Sequence, residues 1–537
     1  MLSPFEPFKY FNITKACDIL LTMKVIISDP TKAYVSGTDE EVYKLKKLLT
    51  YTNTSAQFQY RKILKNRWWK NRDPDGWAKA CEDLKCKIKS VLVFEDSNGI
   101  FVRPASLSYL EPYFSDMSQN TVVKVSFPNP RPFPWHNPLP FILHPYQDES
   151  IKNLISVKHG NVQLCTGAGK SAIILKIARD LGLKTVVAVP SVSIFNEMLK
   201  NFEHHFGKSS VGALGDGKKR LGKLFTVAIS NSLRNLSSES AEYKEIASAD
   251  VLLVDESHLW GADTLEELCH SLFCKTPYRM FFSGTQTRSN GTEVLLQSII
   301  GKTVCTLTTE DAVKKRYVCD HDFTIIKVPT QRPSYSSDDP IDMKRKHLLN
   351  NENVAILYAK IANSSAKVKG ESTLVLVEEI HQIALIAKFL EVPYAYAHGN
   401  TGNKSELSDL GLSKSNAEEA VEKFNKGEVK VLIGTSCIST GTNIYPTHNT
   451  CNWQGGSSEI KTKQGTIGRS VRHLKGSKYE KFHSIPKMKT KIYDVDVIGV
   501  PAPTNKDGST GISDLKRQLI DRIDCYRDSG TQIRYIG

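Results

Sequence analysis

Short apolar runs alternate with stretches of helical periodicity along most of this chain. Between residues 141 and 307 the runs read VQLC, TVVAVP, FTVAIS, VLLVDE and RMFFSG, and a second set from residue 372 reads TLVLV, YAYAHG, VKVLIG and KIYDVDVIG. Uninterrupted apolar runs of this length are typical of strands buried on both faces of a parallel sheet that helices cover. The pattern predicts an α/β protein with two tandem domains, each built on a parallel sheet.

Polar segments that contain proline mark the predicted domain boundaries. The segment SFPNPRPFPWHNPLP is too rich in proline for a helix or a central strand. Near the C-terminal end, apolar residues recur at steps of three and four, which predicts an amphipathic helix: Ile512, Leu515, Leu519, Ile523 and Tyr526. We therefore predict a small α+β N-terminal domain that binds nucleic acid at residues 1–125, a linker at 126–140, α/β domains at 141–330 and 331–500, and a C-terminal helical tail at 501–537.

Composition adds a candidate partner to this outline. The chain has 537 residues, and its 71 Lys and Arg against 57 Asp and Glu leave a net charge of +14. A basic surplus favours nucleic acid as a partner, although it also serves solubility alone. The 11 cysteines are scattered without zinc-ligand spacing, which favours a reduced intracellular protein without a structural metal. No signal peptide and no apolar run of about 20 residues is present, so we expect no membrane partner.

The first candidate for chemistry is the loop TGAGKS, which follows the apolar run VQLC. Backbone N–H groups in such a loop point at phosphate oxygens, and the following helix adds the positive end of its dipole. Gly167 and Gly169 permit the tight path, Lys170 can reach the β- and γ-phosphates, and Ser171 can hold Mg²⁺. Because the full pattern asks for glycine where Leu164 stands, an ordinary turn is the alternative for this loop alone.

The second candidate is a pair of adjacent acids at the end of the run VLLV. Carboxylates at that end of a buried strand are costly unless they are used, and ligands of open α/β sheets sit there. Asp255 can complete a Mg²⁺ shell through water, and Glu256 can orient and deprotonate the attacking water. His258 could relay between the nucleotide and the next domain. The alternative is the first turn of a helix, where acids are favourable.

The third candidate is the segment QGTIGRSVRH in the second α/β domain. Arg469 and Arg472 are three residues apart and share one face of a helix. A solvated surface pair is the ordinary explanation of such a spacing. Their position suits arginine fingers that reach across a cleft to a transferred phosphate. The glycine loop, the acid pair and the arginine pair, in this order, together predict nucleotide hydrolysis.

With these motifs in place, the chain resembles the DExH-box helicases of superfamily 2. TGAGKS resembles motif I, DESH motif II, GRSVR motif VI, HPYQDESI the adenine-reading element and IGTSCISTGTNI motif V. The resemblance implies two RecA-like (P-loop) domains, ATP and Mg²⁺ as cofactors, and three sets of residues. The nucleotide-binding set is Gln147, Thr166, Gly167, Ala168, Gly169, Lys170, Ser171, Gly441 and Asn443. The catalytic set is Lys170, Asp255, Glu256, Gln464, Arg469 and Arg472, and the Mg²⁺ ligands are Ser171 and Asp255.

The chain departs from the family pattern in motifs III, V and VI. Motif VI usually has glutamine where Gly465 stands, and Gln464 lies one residue earlier. Asn443 stands where motif V often carries an acid, and motif III has Gly284 and Gln286 where small hydroxyl residues are common. The small basic N-terminal domain and the terminal segment LIDRIDCYRDS resemble the phage recombination and repair helicases of the UvsW type. That likeness implies 3′-to-5′ movement on branched DNA.

Nucleic-acid contacts are expected in two places. The segment FQYRKILKNRWWKNRDPDGW interleaves cations, which neutralise phosphates, with aromatic rings, which stack on bases. Its candidate residues are Arg61, Lys65, Arg67, Trp68 and Trp69, although the adjacent tryptophans are equally compatible with a strand in a core. Hydroxyl and amide groups after strand ends suit the sugar-phosphate track: Pro190, Ser191, Ser230, Asn231, Thr435 and Ser436. Ordinary turn chemistry is the alternative for each of these taken singly.

These observations favour an ATP-driven DNA helicase or translocase that acts on single-stranded or branched DNA in phage replication, recombination and repair. We expect DNA as the partner, RNA as the alternative one, and other replication or recombination proteins beside it. The expected location is inside the cell, in the host cytoplasm if a phage encodes the chain. An RNA helicase, the motor part of a restriction system and a scaffold with an inactive ATPase are the competing functions.

Overall fold

The computed structural model describes residues 21–284, 293–337, 339–399, 411–412, 416–439, 443–459, 461–503 and 510–537. The chain forms two units. The first holds Met1–Gln163 and Ser171–Thr306, and the second holds Leu164–Lys170 and Leu307–Gly537. None of the described helices is long and apolar enough to cross a lipid bilayer.

The first unit begins with a five-stranded mixed sheet whose strand order is β5-β6-β2-β1-β7. Its strands are β1 (Lys24–Asp29), β2 (Lys32–Ser36), β5 (Phe94–Asp96), β6 (Gly99–Val102) and β7 (Thr121–Val123), and a separate antiparallel pair is β3 (Thr50–Thr52) and β4 (Lys89–Val91). The helices are α1 (Asp39–Leu48), α2 (Thr54–Lys65), α3 (Arg67–Arg72), α4 (Pro74–Ile88), α5 (Ser106–Leu110) and α6 (Met117–Asn120). The N-terminal part is therefore α+β, as predicted.

Helices α2, α3 and α4 form one continuous insertion between the paired strands β3 and β4, and we call residues 54–88 the helical insertion. Each helix is capped at its start by a side-chain oxygen that accepts a main-chain N–H at 3.0 Å, and the three capping residues are Asn53, Asn66 and Asp73. Such caps satisfy orphan donors at a helix start and stabilise it by about 1 kcal/mol each. Only Ala56 and Cys81 of the insertion are buried, so it projects from the sheet.

Residues 124–144, all of them described, contain neither helix nor strand and follow the surface of the next domain. The N–H groups of Arg131 and Phe133 donate to the carbonyls of Leu181 and Arg179 at 2.8 Å, and the Trp135 ring stacks on Phe206. Proline limits this segment to extended conformations, as expected from its sequence.

The first α/β sheet has eight strands in the order β11-β10-β12-β9-β13-β14-β8-β15. They are β8 (His159–Leu164), β9 (Thr185–Val189), β10 (Val211–Gly215), β11 (Lys218–Arg220), β12 (Phe225–Ile229), β13 (Val251–Val254), β14 (Tyr278–Ser283) and β15 (Lys302–Leu307). Strands β10, β12, β9, β13, β14 and β8 run parallel, and β11 forms an antiparallel hairpin with β10. The helices are α7 (Pro145–Val157), α8 (Lys170–Leu181), α9 (Val192–Phe206), α10 (Ser230–Arg234), α11 (Ala241–Ala247), α12 (Ala262–Glu267) and α13 (Glu293–Ile300).

The N-terminal part and this sheet share one apolar core. Leu107 and Leu110 of α5 belong to the same buried cluster as Leu295, Leu296 and Ile299 of α13. An ion pair between the Arg103 guanidinium and the Glu266 carboxylate, 3.4 Å long, lies beside that cluster. The mixed sheet and α5 of the N-terminal part are therefore packed against the first α/β domain.

The second α/β sheet has seven strands, all parallel, in the order β18-β19-β17-β20-β21-β16-β22. They are β16 (Asp320–Pro329), β17 (Thr373–Val377), β18 (Tyr394–Ala397), β19 (Val431–Gly434), β20 (Asn449–Trp453), β21 (Lys489–Ile498) and β22 (Ile533–Ile536). The helices described here are α14 (Thr309–Lys314), α15 (Pro340–Lys344), α16 (Glu352–Lys369), α17 (His381–Ala387), α18 (Ala417–Asn425), α19 (Ser436–Ser439), α20 (Gly468–Ser470) and α21 (Asp514–Arg527).

Both faces of this sheet are covered, which explains the uninterrupted apolar run TLVLV. Val375 and Val377 of β17 pack into a cluster with Tyr358 of α16, whereas Leu374 and Leu376 pack into another with residues of α18. Successive strand residues face opposite sides, so a strand covered on both sides is apolar throughout. The prediction of two parallel-sheet domains of the RecA-like kind is confirmed.

Two details of the predicted outline need correction. Strand β16, which the boundary at residue 330 places in the first α/β domain, pairs with β21 and β22 in the second sheet. The predicted C-terminal helical tail also contains a strand, because β22 follows α21 and pairs with β16. Periodicity identifies a strand, but the sheet it joins depends on distant partners.

The terminal helix α21 is an integral part of the second unit. Arg522 makes bonds of 2.7 and 3.0 Å to the two carboxylate oxygens of Asp494, and the Tyr526 hydroxyl donates to the same carboxylate at 2.7 Å. Leu515, Leu519, Ile523 and Tyr526 are buried, whereas Ile512 precedes the helix and is exposed.

Candidate nucleotide site and nucleic-acid surface

The loop TGAGKS connects β8 to α8, the strand-to-helix position that a phosphate loop requires. Gly167 has φ +89° and Gly169 has φ +75°, a region where a side chain is unfavourable. Lys170 and Ser171 are the first two residues of α8, at the helix end whose dipole favours anions. The local conformation is that of a loop able to surround phosphate oxygens.

Several predicted residues follow strands that end at the same edge of the first sheet. The acid pair follows β13, Pro190 and Ser191 follow β9, and Ser230 and Asn231 follow β12. The glycine loop leaves β8 at this edge, because β8 is parallel to β14 and β14 to β13. Parallel strands thus place these groups along one line, where ligands of open α/β sheets bind.

The segment DESH adopts a strained turn and not a helix start. Glu256 has φ +46° and ψ +48°, and only a single 3₁₀ turn, Ser257–Leu259, follows it. A left-handed conformation costs a non-glycine residue about 1–3 kcal/mol and is concentrated at functional sites. The alternative in which both acids occupy the first turn of an α-helix is therefore wrong.

Hydrogen bonds of this turn connect it to the neighbouring strand. The Glu256 N–H donates to Oδ1 of Asp255 at 2.9 Å, and Asp255 is 5% exposed. Nδ1 of His258 lies 3.3 Å from Oε2 of Glu256 and 2.9 Å from Oγ of Ser283, the last residue of β14. Sequence analysis did not single out Ser283, whose position at a strand end beside motif III was the available signal.

Within the second unit, the glycine loop lies directly against the arginine segment. A Cβ atom on Gly468 would come within 2.4 Å of the Cβ of Thr166, so only glycine permits this approach. A Cβ atom on Gly167 would lie 3.5 Å from Cγ of Arg472. The structure therefore brings two of the three predicted motifs together.

The arginine pair is not a solvated surface. Arg469 is 5% exposed, and Arg472 is half-buried. Nε and Nη1 of Arg472 are buried and have no hydrogen-bond partner among the residues that the structure describes. Leaving a buried donor unpaired costs about 1–3 kcal/mol, more for a charged group. A planar pair of N–H groups beside a glycine loop is suited to phosphate oxygens.

The displaced glutamine of motif VI lies in an unusual helix. The side chain of Gln464 is outside the described part, but its backbone belongs to a π-helix, Lys461–Ile467, that leads into α20. The π-helix ends at Ile467, and Arg469 lies in the short α-helix that follows it directly.

The remaining nucleotide candidates are distributed unevenly. Gln147 is buried in the first turn of α7, where its Oε1 accepts the His144 N–H at 2.8 Å. The carbonyl of Asn443 accepts from Nδ2 of Asn425 at 2.8 Å. Gly441 and the motif III residue Gln286 lie outside the described residues.

The nucleic-acid candidates of the N-terminal domain lie on the helical insertion. Trp68 is 67% exposed, and the Arg72 guanidinium lies 5.0 Å from its ring centroid. Trp69 is half-buried in the same short helix, so the interpretation of the two tryptophans as a core strand is wrong. Residues 54–72 carry six cations and no acid: Arg61, Lys62, Lys65, Arg67, Lys70 and Arg72.

The strand-end candidates include ordinary caps. Oγ of Ser191 accepts the Ile194 N–H at 3.4 Å and caps α9, which is the turn chemistry expected of a serine there. Thr435 is buried after β19 with its hydroxyl 3.5 Å from Sγ of Cys437, and the side chain of Ser436 lies outside the described part. Asn231 is exposed on α10 and remains available to a ligand.

The fold has two parallel-sheet domains that carry these motifs, and comparison with known proteins gives the family of the chain. The model described as "Type III restriction enzyme, res subunit" matches residues 140–288, and the "Helicase conserved C-terminal domain" matches residues 352–473. The chain belongs to the superfamily 2 helicases, whose domains are those of a nucleic-acid-dependent ATPase.

Individual relatives are distant. "Putative helicase 22" of Sulfolobus islandicus filamentous virus is 26% identical over 370 residues, which are 62% of this chain and 62% of that protein. "DNA 3'-5' translocase XPB2" of Sulfurisphaera tokodaii is 23% identical over 355 residues, which are 62% of this chain and 78% of that protein. UvsW of bacteriophage T4 aligns over 96% of this chain and 99% of its own, at 15% identity and a TM-score of 0.39.

Proposed function

We propose that the chain is an ATP-driven DNA helicase or translocase that acts on single-stranded or branched DNA in phage replication, recombination and repair. One observation carries the nucleotide part of this proposal. The buried N–H groups of Arg472 have no partner among the described residues, and the Cγ atom of the same side chain lies beside Gly167 of the glycine loop. A phosphate group is the ligand that satisfies both features.

Each motif has one role in the proposed reaction. Lys170 and the loop N–H groups bind the β- and γ-phosphates of ATP, and Ser171 and Asp255 hold Mg²⁺. Mg²⁺, when bound, neutralises charge on the phosphate oxygens. Glu256 takes a proton from the attacking water, and Arg469 and Arg472 stabilise the charge that develops on the transferred phosphate. Gln147 is the proposed reader of adenine. Gly441 and Asn443 are the remaining proposed nucleotide-binding residues, and Gln464 is the remaining proposed catalytic residue.

DNA is the proposed track because of charge and because of the chemistry of the strand ends. The six cations of residues 54–72 attract phosphates irrespective of sequence, and exposed Trp68 offers a stacking face. ATP binding and hydrolysis would alternately close and release the two α/β domains and so move the strand. Such a motor works inside the cell, in the host cytoplasm if a phage encodes it.

The model matched at residues 140–288 favours one further candidate, the motor part of a restriction-type DNA translocase. Both candidates hydrolyse ATP, but they differ in the nucleic acid that stimulates them. We expect duplex DNA to stimulate a restriction-type motor most, and single-stranded or branched DNA to stimulate the proposed helicase most.

ATPase assays with single-stranded DNA, branched DNA, duplex DNA and RNA in parallel test the proposal. We expect single-stranded or branched DNA to stimulate hydrolysis most, and Lys170→Ala to abolish it while the thermal unfolding profile stays that of the parent. If RNA stimulates hydrolysis most, the substrate is RNA and not DNA. Normal turnover in folded Lys170→Ala would refute the phosphate site.

A further inference from the structure

A buried lysine lies behind the arginine segment of the second unit. Lys487 precedes β21 by two residues and is 3% exposed. Its Nζ lies 3.1 Å from the carbonyl oxygen of Tyr445, 2.5 Å from that of Ser470 and 2.7 Å from that of Arg472. The acceptors of this ammonium are thus three main-chain carbonyls drawn from two separate segments.

Burying an ammonium without a carboxylate partner is expensive. The effective penalty for removing one charge from water is several kcal/mol, and neighbouring Arg472 adds repulsion. Only the protonated form carries three N–H donors, so Lys487 can donate to all three carbonyls at once only while it is charged. A simple core position would be filled better by an apolar residue, which suggests that the three bonds have another purpose.

The bonds restrain the main chain from which Arg472 projects. Lys487 binds the carbonyls of Ser470 and Arg472, and the carbonyl of Val471 between them accepts the Cys319 N–H at 2.7 Å. Three consecutive carbonyls, from the last residue of α20 onward, are therefore held. The side chain of Arg472 leaves this restrained stretch toward Gly167. A shift of the main chain by one ångström would carry the guanidinium with it.

We propose that Lys487 is a positioning residue for ATP hydrolysis, which holds the main chain of Ser470–Arg472 so that the Arg472 guanidinium meets the phosphates. The inference rests on the proposed function. The third bond, to the carbonyl of Tyr445, connects the arginine segment to the segment that follows motif V. Lys487 thereby holds the two motifs in a fixed position relative to each other. Lys487 itself touches no phosphate in this arrangement.

The charge of Lys487 also makes the contact sensitive to pH. Burial lowers the pKa of Lys487 to about 7. The groups that face it are Cys319, Arg472 and His448, with His473 next to Cys319. Burial raises the pKa of the Cys319 thiol and lowers that of His448 to about 4, so near pH 7 both are neutral. Loss of the Lys487 proton leaves two donors for three carbonyls.

Single-turnover hydrolysis in three variants tests the inference. At saturating ATP and DNA, Lys487→Met should be slower than the parent on the order of 10²-fold, the cost of small misplacements of catalytic groups. Affinity for a fluorescent ATP analogue should be unchanged, because the phosphate loop is intact. Lys489→Met is the matched control, since Lys489 pairs with Asp320 and Asp322 at the surface, and it should keep the parental rate.

A second readout does not depend on hydrolysis. Hydrogen exchange of a peptide covering residues 462–475 should be faster in Lys487→Met than in the parent and in Lys489→Met. The parental single-turnover rate should fall as pH rises through about 7, whereas Lys487→Arg, which stays charged, should lose this dependence. If Lys487→Met does not fold, Lys487→Arg and the parental pH profile decide.

The results separate this inference from the function on which it rests. A parental rate in Lys487→Met, or unchanged exchange of residues 462–475, would overturn the positioning role. A parent that hydrolyses no ATP with any nucleic acid would overturn the proposed function, while the exchange experiment still reports whether Lys487 holds the arginine segment.

Discussion

At the scale of single residues, two local costs mark the candidate nucleotide site. Glu256 holds a left-handed backbone at the end of β13, and Arg472 buries two N–H groups that no described residue accepts. Each costs on the order of 1–3 kcal/mol, an amount that a stable domain tolerates only where something compensates for it. The proposed nucleotide would relieve the cost at Arg472.

Replacing the proposed base should separate binding from chemistry. Glu256→Gln keeps the size and shape of the side chain but removes the proton acceptor. Asp255 and Ser171 remain available to hold Mg²⁺. We expect normal ATP affinity, loss of turnover and tighter DNA binding in the trapped ATP state. Rapid-quench hydrolysis together with DNA titration measures both effects. Hydrolysis at the parental rate would place the base elsewhere.

Replacing Arg472 by lysine tests geometry and not charge. Lysine cannot reproduce the planar fork of an arginine, and arginines of this role contribute about 10³–10⁵ to the rate in other phosphoryl-transfer enzymes. We expect Arg472→Lys and Arg469→Lys to bind ATP normally and to hydrolyse it far more slowly at saturating DNA.

The control for this pair is Arg527→Lys, because Arg527 makes an exposed pair with Asp524 on α21. Exposed pairs contribute under about 1 kcal/mol, so single-turnover hydrolysis should be unaffected there. Rates within a few-fold of the parent in both Arg469→Lys and Arg472→Lys would remove the arginine segment from the reaction.

At the scale of elements, the first part of the helical insertion, residues 54–72, combines an exposed aromatic with six cations and no acid. The helices of the insertion are stabilised by capping residues, and few of their side chains are buried. Most of the surface of the insertion is therefore available to a partner. Its base is continuous with a core shared by α5 and α13.

Trp68→Ala should weaken binding to single-stranded DNA by about 1–3 kcal/mol, about five- to 150-fold in Kd. Arg61→Ala with Lys65→Ala should lower the slope of log Kd against log salt by about 0.7 for each cation removed. Fluorescence anisotropy at several salt concentrations measures both. Tyr43→Ala, which removes an equally exposed aromatic from α1, is the control. Unchanged binding in all insertion variants would exclude this surface.

At the scale of the whole molecule, buried neutral histidines predict sensitivity to acid. Burial lowers the pKa of His321 and of His448 to about 4, and that of His159 to about 3. An unfolded histidine titrates near about 6.5, so below that pH the unfolded chain binds more protons than the folded one. The stability that these residues contribute is present above pH 6.5 and is lost as pH falls toward 4.

Each such histidine should contribute a slope of up to about 1.4 kcal/mol per pH unit within that window. Urea unfolding measured between pH 7 and pH 4 should show a falling midpoint. His321→Gln, which keeps a polar group near Ser529, should reduce the slope, whereas His136→Gln removes an exposed imidazole and should not. A midpoint independent of pH would show that protonation of these histidines costs nothing.

The sequence by itself determined the parts of this protein that depend on neighbouring residues. Apolar runs identified β8, β9, β12, β13 and β14 of the first sheet and β17, β18, β19 and β21 of the second, because strands covered on both faces are rich in apolar residues. The glycine loop and the adjacent acids were recognisable because a phosphate loop needs consecutive residue types. The order of these motifs was enough to indicate a superfamily 2 helicase.

Only the tertiary structure decided features that depend on distant partners. Strand β16 joined the second sheet because its hydrogen-bonding edges matched β21 and β22, which periodicity does not encode. The π-helix before Arg469, the contact of Gly468 with Thr166 and the burial of Lys487 under the carbonyls of Ser470 and Arg472 have no local sequence signal. Whether a charged side chain is buried depends on the residues that fold around it. The sequence alone therefore does not distinguish the buried Lys487 from a lysine at the surface.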